Sequence, residues 1–201
     1  VIGQAKAITE RRFAIIEEPD VPELKQLATA MNATVGRLKG MFDEEAARLD
    51  AVRREANCDS LTGLANRSHF LASLHQALEA EDSRGIGLIL VRVADLAGIN
   101  RRLGRDATDE LLRRFAAVLQ AETEQQADSV VARLNGADFA LLVMGQTGVR
   151  PLAERLLPHL VQDAAPFVGD SPAAFIGLGA FPRGAEMSAV LSQADAALAA
   201  A

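Results

Sequence analysis

The sequence predicts an α/β domain, with a central sheet covered by helices, that follows a helical stalk. Three observations predict this architecture. Residues 1–57 are dominated by helical patterns, including a long apolar stripe, whereas residues 58–201 alternate short apolar runs with longer amphipathic stretches. Asn135-Gly136 then separates two apolar runs, and Asn-Gly predicts a tight β-hairpin because both residues accept positive φ.

The stalk has two helical stretches with a break between them. Residues 1–13 are helical in pattern, and Pro19 and Pro22 interrupt them. A second helix is expected from Pro22 to about Asn57, because Pro suits the first helical turn and none follows. Its stripe has spacings of four and three, which is typical of a coiled coil of two to four strands; the alternative is a long helix lying on its own domain. With Glu45 filling one position, the stripe is Leu24, Ala28, Met31, Val35, Leu38, Phe42, Leu49, Val52 and Ala56.

The globular part is predicted to contain a turn at Thr62-Gly63 and then alternating helices and strands. A helix break is expected at Gly104, and a short apolar run, GIGLILVRV, suits a central strand. The predicted order is helix within 59–82, strand 85–93, interrupted helix 97–122, strands 130–134 and 139–144, helix 149–163, strand 172–182 and helix 185–201.

Composition excludes several classes of function. The formal charge of −6 provides no basic field for nucleic acid, and 4% aromatic residues, with no Trp or Tyr, provide few stacking platforms. One cysteine, Cys58, excludes an internal disulfide. No stretch reaches the length of a membrane span, but the chain starts without Met and reads as part of a longer protein.

The globular part closely resembles GGDEF domains. It matches their D-x-LTGL-x-NR-x-x-F segment at Asp59, Leu61, Thr62, Gly63, Leu64, Asn66, Arg67 and Phe70. Where that family has RxGGDEF, this chain has RLNGADF, with the signature positions at Asn135, Gly136, Ala137, Asp138 and Phe139. Ile99-Asn100 and Asp109 fall at two further family positions. The resemblance covers residues 58–201 and implies a nucleotide-cyclase-like fold, with a central mixed sheet of five strands flanked by helices.

The stalk is similar to the end of a HAMP module followed by a signalling helix. The run from ERRFAIIEEP to LTGLANR looks most like the juxtamembrane region of LapD-type cyclic-di-GMP receptors. That resemblance implies a homodimer through the stalk and an EAL domain downstream. It also implies that this chain is the cytoplasmic portion of a protein anchored in the inner membrane.

The family's reaction joins two GTP molecules into cyclic-di-GMP and needs divalent metals, for which magnesium prefers carboxylate oxygens. The resemblance places the two metal-binding carboxylates at Arg92 and Ala137, and its phosphate-contacting lysine at Ala97. A guanidinium repels a dication by several kcal/mol at short range. Asp138 is expected on the opposite strand face from Ala137, and Asp95 reads as a helix N-cap. We therefore expect no bound magnesium, no catalytic residues and no turnover.

The guanine-binding side of the family's site is retained at Asn100 and Asp109, as a possible vestigial GTP site. The alternative is that both are local caps or surface polar residues, and Arg92 offers a triphosphate a cation without metal. The inhibitory RxxD motif of the family is missing, since its arginine position is Gln125 or Gln126.

These residues are compatible with three alternative functions. The first is a catalytically inactive module that relays a membrane-side signal through the stalk to an output domain. The second is a regulatory GTP-binding domain. The third is an active cyclase that binds magnesium through unusual ligands.

Overall fold

The structure is a computed structural model that describes residues 22–81, 85–123, 129–145, 148–169 and 171–200. The chain divides into two compact units, Val1–Ala56 and Asn57–Ala201. Within the described residues, no helix combines the length and apolar character that crossing a bilayer requires.

Among the described residues of the first unit is a long helix, α1 (Pro22–Asn57), which confirms the predicted helix. It begins on the proline and carries Glu23 in its first turn, where the helix dipole favours an acid. Ala28 and Val35 of the apolar stripe are buried, whereas Phe42, Leu49 and Val52 are about half exposed. Residues 1–21, on which the first helix and most of the HAMP prediction depend, lie outside the described residues.

The second unit follows the predicted order of helices and strands. Its elements are α2 (Arg67–Glu79), β1 (Ile86–Val93), α3 (Leu96–Thr123), β2 (Val130–Arg133), β3 (Asp138–Met144), α4 (Val149–Val168), β4 (Ala174–Phe181) and α5 (Met187–Ala199). Helix α3 is kinked at Gly104, where φ is 82°, so the predicted break is confirmed.

The described residues form a four-stranded sheet in the order β2-β3-β1-β4. Neighbouring strands all pair antiparallel, whereas a mixed sheet of five strands was expected. The difference arises because the hairpin inserts β3 between β1 and β2, which run in the same direction without touching. The parallel pairing that is present is an isolated bridge from Ala65 to Ala132.

Helices cover both faces of this sheet. Ile89, Val91 and Phe139 pack on one face with α3 and α4, while Leu88 and Leu142 pack on the other with α2 and α5. Strand β1 is therefore buried on both sides, as its continuous apolar run predicts. Arg92 is the exposed residue in this strand.

Helix α4 is longer than expected. It was predicted to end at residue 163, but it continues through Pro166 to Val168 and ends at Gly169, where φ is 61°. Leu156, Leu160, Ala164 and Val168 are all buried. Because these residues recur every four positions, burial of one helix face against the sheet outweighs the loss of backbone hydrogen bonds at proline.

Candidate functional site

The candidate site lies where the hairpin between β2 and β3 meets the end of β1. The hairpin is confirmed, but neither Asn135 nor Gly136 has the positive φ expected of a tight Asn-Gly turn. The Asn135 side chain holds the turn instead: its oxygen accepts hydrogen bonds from the backbone N–H groups of Ala137 and Asp138, both at 3.1 Å. A side chain that hydrogen-bonds residues two and three ahead replaces the backbone geometry of a tight turn.

Asp138 is bound on both carboxylate oxygens. It lies opposite Arg92 in the β1–β3 register. Arg92 Nε donates to Oδ1 at 2.6 Å and its Nη2 donates to Oδ2 at 2.8 Å, while Asn135 Nδ2 also donates to Oδ2 at 2.8 Å. The hydrogen bonds from Arg92, the largest influence, lower the pKa of Asp138 despite the opposing effect of burial. The carboxylate is therefore ionised and occupied by protein donors.

This ion pair changes the electrostatic argument made from the sequence. Arg92 was expected to oppose a dication with its full charge, or to offer that charge to a triphosphate, but Asp138 neutralises it in the structure. Arg92 also belongs to the strand face of Leu88 and Leu90, which α2 and α5 cover, opposite the face of Ala137.

The residues present do not fit a magnesium site. The Asp138 oxygens are taken by Arg92 and Asn135, and Ala137 offers a methyl group. In the part of the chain that the structure describes, no three His, Cys, Asp or Glu side chains cluster as a metal site. Gln125 and Gln126, at the expected inhibitory position, lie outside the described residues.

A groove of about 720 Å³ runs between the hairpin tip and α3. Asn100 and Asp109 both line it, so the structure brings the two predicted guanine-binding residues to one site. They are on opposite sides of the kink at Gly104. Thr108, between them in the wall, donates its hydroxyl to the Gly104 carbonyl at 2.9 Å, and the same hydroxyl oxygen lies 3.4 Å from Asn100 Oδ1. Asp109 faces Arg105, with 3.8 Å between Oδ2 and Nε.

Asp95 also lines this groove, which the sequence did not indicate. Its Oδ1 accepts a hydrogen bond from the backbone N–H of Gly98 at 3.0 Å, as expected for an N-cap. Its φ of 41° is the only positive value of a non-glycine residue among those described. A Cβ atom at Gly98 would lie 1.9 Å from the Asp95 carboxylate, so this cap requires glycine three residues on.

Arg133 ties the hairpin to the turn before α2. Its Nη1 donates to both oxygens of Asp59, at 3.2 and 3.3 Å, and its Nη2 donates to the Gly136 carbonyl at 2.9 Å. Asp59 Oδ1 also accepts from the Thr62 backbone N–H at 2.9 Å. Burial alone would raise the pKa of Asp59, but hydrogen bonds from Thr62 and Arg133 hold it below its usual value.

The sequence places both Asp59 and Arg133, the first residue of RLNGADF, at family positions but does not pair them. They are 74 residues apart, and no local pattern indicates that they touch.

Comparison with known proteins shows to which family this fold belongs. The family model for the diguanylate cyclase GGDEF domain matches residues 56–201. The chain is 28% identical over 196 residues to the diguanylate cyclase TpbB of Pseudomonas aeruginosa strain UCBPP-PA14, covering 91% of this chain and 43% of that protein. The chain spans less than half the length of the curated relatives it matches, with 48% and 43% for the first two.

Solved structures of other proteins share this fold. The Vibrio cholerae LapD S helix–GGDEF–EAL structure bound to c-di-GMP has a TM-score of 0.68 at 22% identity, covering 79% of this chain and 37% of that one. The coiled coil and GGDEF domain of DgcB from Caulobacter crescentus, in complex with c-di-GMP, has a TM-score of 0.68 at 24% identity, covering 85% and 93%. Because the family model spans well over half of the sequence, this chain belongs to the GGDEF domain family.

Proposed function

We propose that this GGDEF domain is a non-catalytic relay module in cyclic-di-GMP signalling, which transmits a conformational change from its stalk to an output domain. The observation that carries the proposal is the Arg92–Asp138 ion pair at the strand–hairpin corner. A cyclase needs metal-binding carboxylates where charge develops on the triphosphate. Here the one carboxylate on the hairpin is held by an arginine, and its neighbour Ala137 has no oxygen ligand to offer.

The stalk supports a relay through dimerisation. Phe42, Leu49 and Val52 of the α1 stripe are 47%, 50% and 56% exposed, and burying such side chains in a coiled coil stabilises each by about 1–2 kcal/mol. The DgcB structure contains a coiled coil before its GGDEF domain, and the LapD structure has an S helix before and an EAL domain after. By analogy with these two structures, we propose a homodimer through α1 and an EAL domain after the GGDEF domain. From the resemblance of the stalk, we propose that residues 1–57 contain the end of a HAMP module, which extends into the start of α1, followed by a signalling helix.

The resemblance of the stalk to a HAMP module supports a proposal about where this module works. A HAMP module connects a membrane segment to a signalling helix, so the parent protein is proposed to be anchored in the inner membrane. The present chain would then be its cytoplasmic portion.

A cyclase assay tests the absence of catalysis. Wild-type protein is incubated with GTP and either magnesium or manganese, and cyclic-di-GMP is quantified by mass spectrometry, with TpbB as the positive control. We expect no product above the level without protein. Cyclic-di-GMP formed by the wild type above that level, with either metal, would refute the proposal.

Light scattering tests the dimer. Residues 1–201 are expected to be dimeric at micromolar concentration, and Leu49→Asp is expected to make them monomeric because it buries a charge in the seam. Ala47→Asp is the matched control, since residue 47 is on α1 but outside the stripe. A monomeric wild type, or equal effects of the two variants, would contradict dimerisation through this stripe.

A second candidate function is regulatory binding of GTP, favoured by the position of Asn100 and Asp109 in one groove. An amide and a carboxylate together match the carbonyl and N–H groups on the edge of guanine. Calorimetry with GTP and magnesium tests this function. The absence of heat at millimolar GTP would exclude it.

A further inference from the structure

The two edges of the sheet differ in how they are covered. At the β2 edge, Ala65 donates its backbone N–H to the Val131 carbonyl at 3.1 Å and accepts from the Arg133 N–H at 2.9 Å. At the other edge, β4 pairs with β1 along its full length, and among the described residues no strand pairs with its outer side. The N–H and C=O groups that point outward from β4, at alternate residues, therefore have no strand partner there.

Strand β4 lacks the features that normally protect a free edge. Natural proteins block such edges with short strands, charged side chains or proline. β4 is 8 residues long, with the sequence AFIGLGAF, and contains neither a charged residue nor proline. An edge of this kind pairs readily with another strand.

Helix α4 provides an apolar flank beside this edge. Leu156 is fully buried against the sheet, and Arg155, one residue earlier, has its Nε 3.4 Å from Glu122 Oε2 on α3. Successive residues of a helix are about 100° apart, so Leu157 projects from the opposite side of α4, away from α3. Val161 lies one turn further along that side. The two side chains are 45% and 49% exposed.

This flank of α4 is on the β4 side of the sheet. Helix α3 contacts β2, whereas α4 contacts β1 and β4, and the strand order is β2-β3-β1-β4. The direction away from α3 is thus the direction of the open edge. On the same face, Ile176 and Leu178 of β4 are only partly buried. The outer edge of β4, together with Leu157, Val161, Ile176 and Leu178, forms what we call the β4 edge site.

The other face of β4 determines what kind of partner fits this site. A Cβ atom at Gly177 would lie 2.7 Å from the backbone nitrogen of Leu198, so α5 lies directly over the edge strand. Paired strands are about 4.8 Å apart, whereas packed helices need about 8–10 Å. A second copy that paired through its own β4 would bring its α5 into collision with this one. A single extended segment with no helix above it avoids the collision.

The apolar area of the site also favours a single segment. Two half-exposed side chains supply far less than the roughly 800 Å² per partner that a stable interface between folded proteins buries. Backbone hydrogen bonds along the edge would supply most of the affinity, and the side chains that face α4 would supply selectivity. Small contact areas are typical of weak, transient partners.

We infer that the β4 edge site binds an extended segment of a partner protein by strand addition. The segment carries bulky aliphatic side chains at alternate positions, which contact Leu157 and Val161. It carries small side chains at the positions between, where α5 leaves little room. It has no proline where its N–H groups pair with β4.

Fluorescence polarisation and NMR hydrogen exchange of the whole chain test this site. The probe is a labelled, end-capped heptapeptide that alternates serine and valine, and its control is the same peptide with methylated backbone nitrogens. We expect the probe to bind at least roughly tenfold more tightly than the control, because strand pairing needs its N–H groups. The outward-facing amides of β4 should exchange more slowly once the probe is bound.

Leu157→Glu isolates the contribution of the α4 flank. Leu157 is half exposed on a helix, and glutamate forms helices about as well as leucine, so the fold is retained. We expect the affinity for the probe to fall roughly five- to twentyfold, because the apolar contact is lost and a charge is buried. Leu103→Glu is the matched control: Leu103 is 47% exposed on α3, outside the β4 edge site, and its substitution should leave the affinity unchanged.

Several results would overturn the inference. These are no binding of the probe at millimolar concentration, equal binding of the methylated peptide, and equal effects of the two glutamate variants. Slow exchange of the outward-facing β4 amides without probe would also overturn it, because this chain itself would then cover the edge. The relay and GTP-binding proposals are judged separately, by the cyclase, light-scattering and calorimetric assays above.

Discussion

Replacing Arg92 with methionine should destabilise the second unit, mainly because it leaves the Asp138 carboxylate without its arginine partner. The Arg92 side chain is 45% exposed, but that of Asp138 is only 12% exposed. After Arg92→Met, Asp138 keeps the hydrogen bond from Asn135 and loses two charge-assisted ones. Losing the partner of a buried charge costs about 3–5 kcal/mol, and the exposure of Arg92 reduces this to about 2–3 kcal/mol.

The size of this effect should depend on pH. Arg92 lowers the pKa of Asp138 in the folded protein. The stabilisation from the pair is therefore fully present above the unfolded pKa of about 3.9, and it is lost as pH falls through the lower folded value. We expect the difference in unfolding free energy between wild type and Arg92→Met to be constant from about pH 7 to 5 and to shrink below about pH 4.

Urea unfolding followed by circular dichroism measures these values, since the chain has no Trp or Tyr to report by fluorescence. A double-mutant cycle with Asp138→Asn should give a coupling energy of about 1.5–2.5 kcal/mol. Arg113→Met is the control, because Arg113 is 53% exposed and forms only a surface pair, worth less than about 0.5 kcal/mol. A coupling energy below about 0.5 kcal/mol, or a penalty that does not shrink in acid, would refute the reasoning.

Two further substitutions test contacts that position the site. Asp59→Ala should lower the free energy of unfolding by about 2–3 kcal/mol, because it removes the cap of the turn before α2 and the partner of Arg133. Since the pKa of Asp59 is lowered in the folded protein, this stabilisation is also lost in acid. A decrease of less than about 0.5 kcal/mol, measured by urea unfolding, would contradict the prediction. Gly177→Ala should lower the free energy of unfolding by about 1–3 kcal/mol, since its Cβ would lie 2.7 Å from the backbone nitrogen of Leu198. The control is Gly136→Ala, whose Cβ meets nothing within 4 Å and should change the melting temperature little. Equal melting temperatures of the two variants would refute this packing.

Much of the fold was predictable because its signals are local. The stripe of α1, the apolar run of β1 and the Gly104 break are each recognised from residues that are near neighbours in the sequence. Asp95 is a similar case, because an N-cap is defined by the N–H two or three residues ahead, and its side chain does accept from the Gly98 N–H. The sequence pattern predicted the wrong end for α4, because burial of one helix face extends the helix past Pro166.

The sequence by itself determined which chemical groups stand at the family's positions, including a methyl at residue 137 and an amide and a carboxylate at Asn100 and Asp109. Only the tertiary structure decided what those groups touch. The Arg92–Asp138 pair follows from the register of two strands 46 residues apart, and the placement of Asp95 in the groove follows from one positive φ at the start of α3. Charges are properties of residue types, whereas their neutralisation depends on distances that are fixed only when the sheet packs.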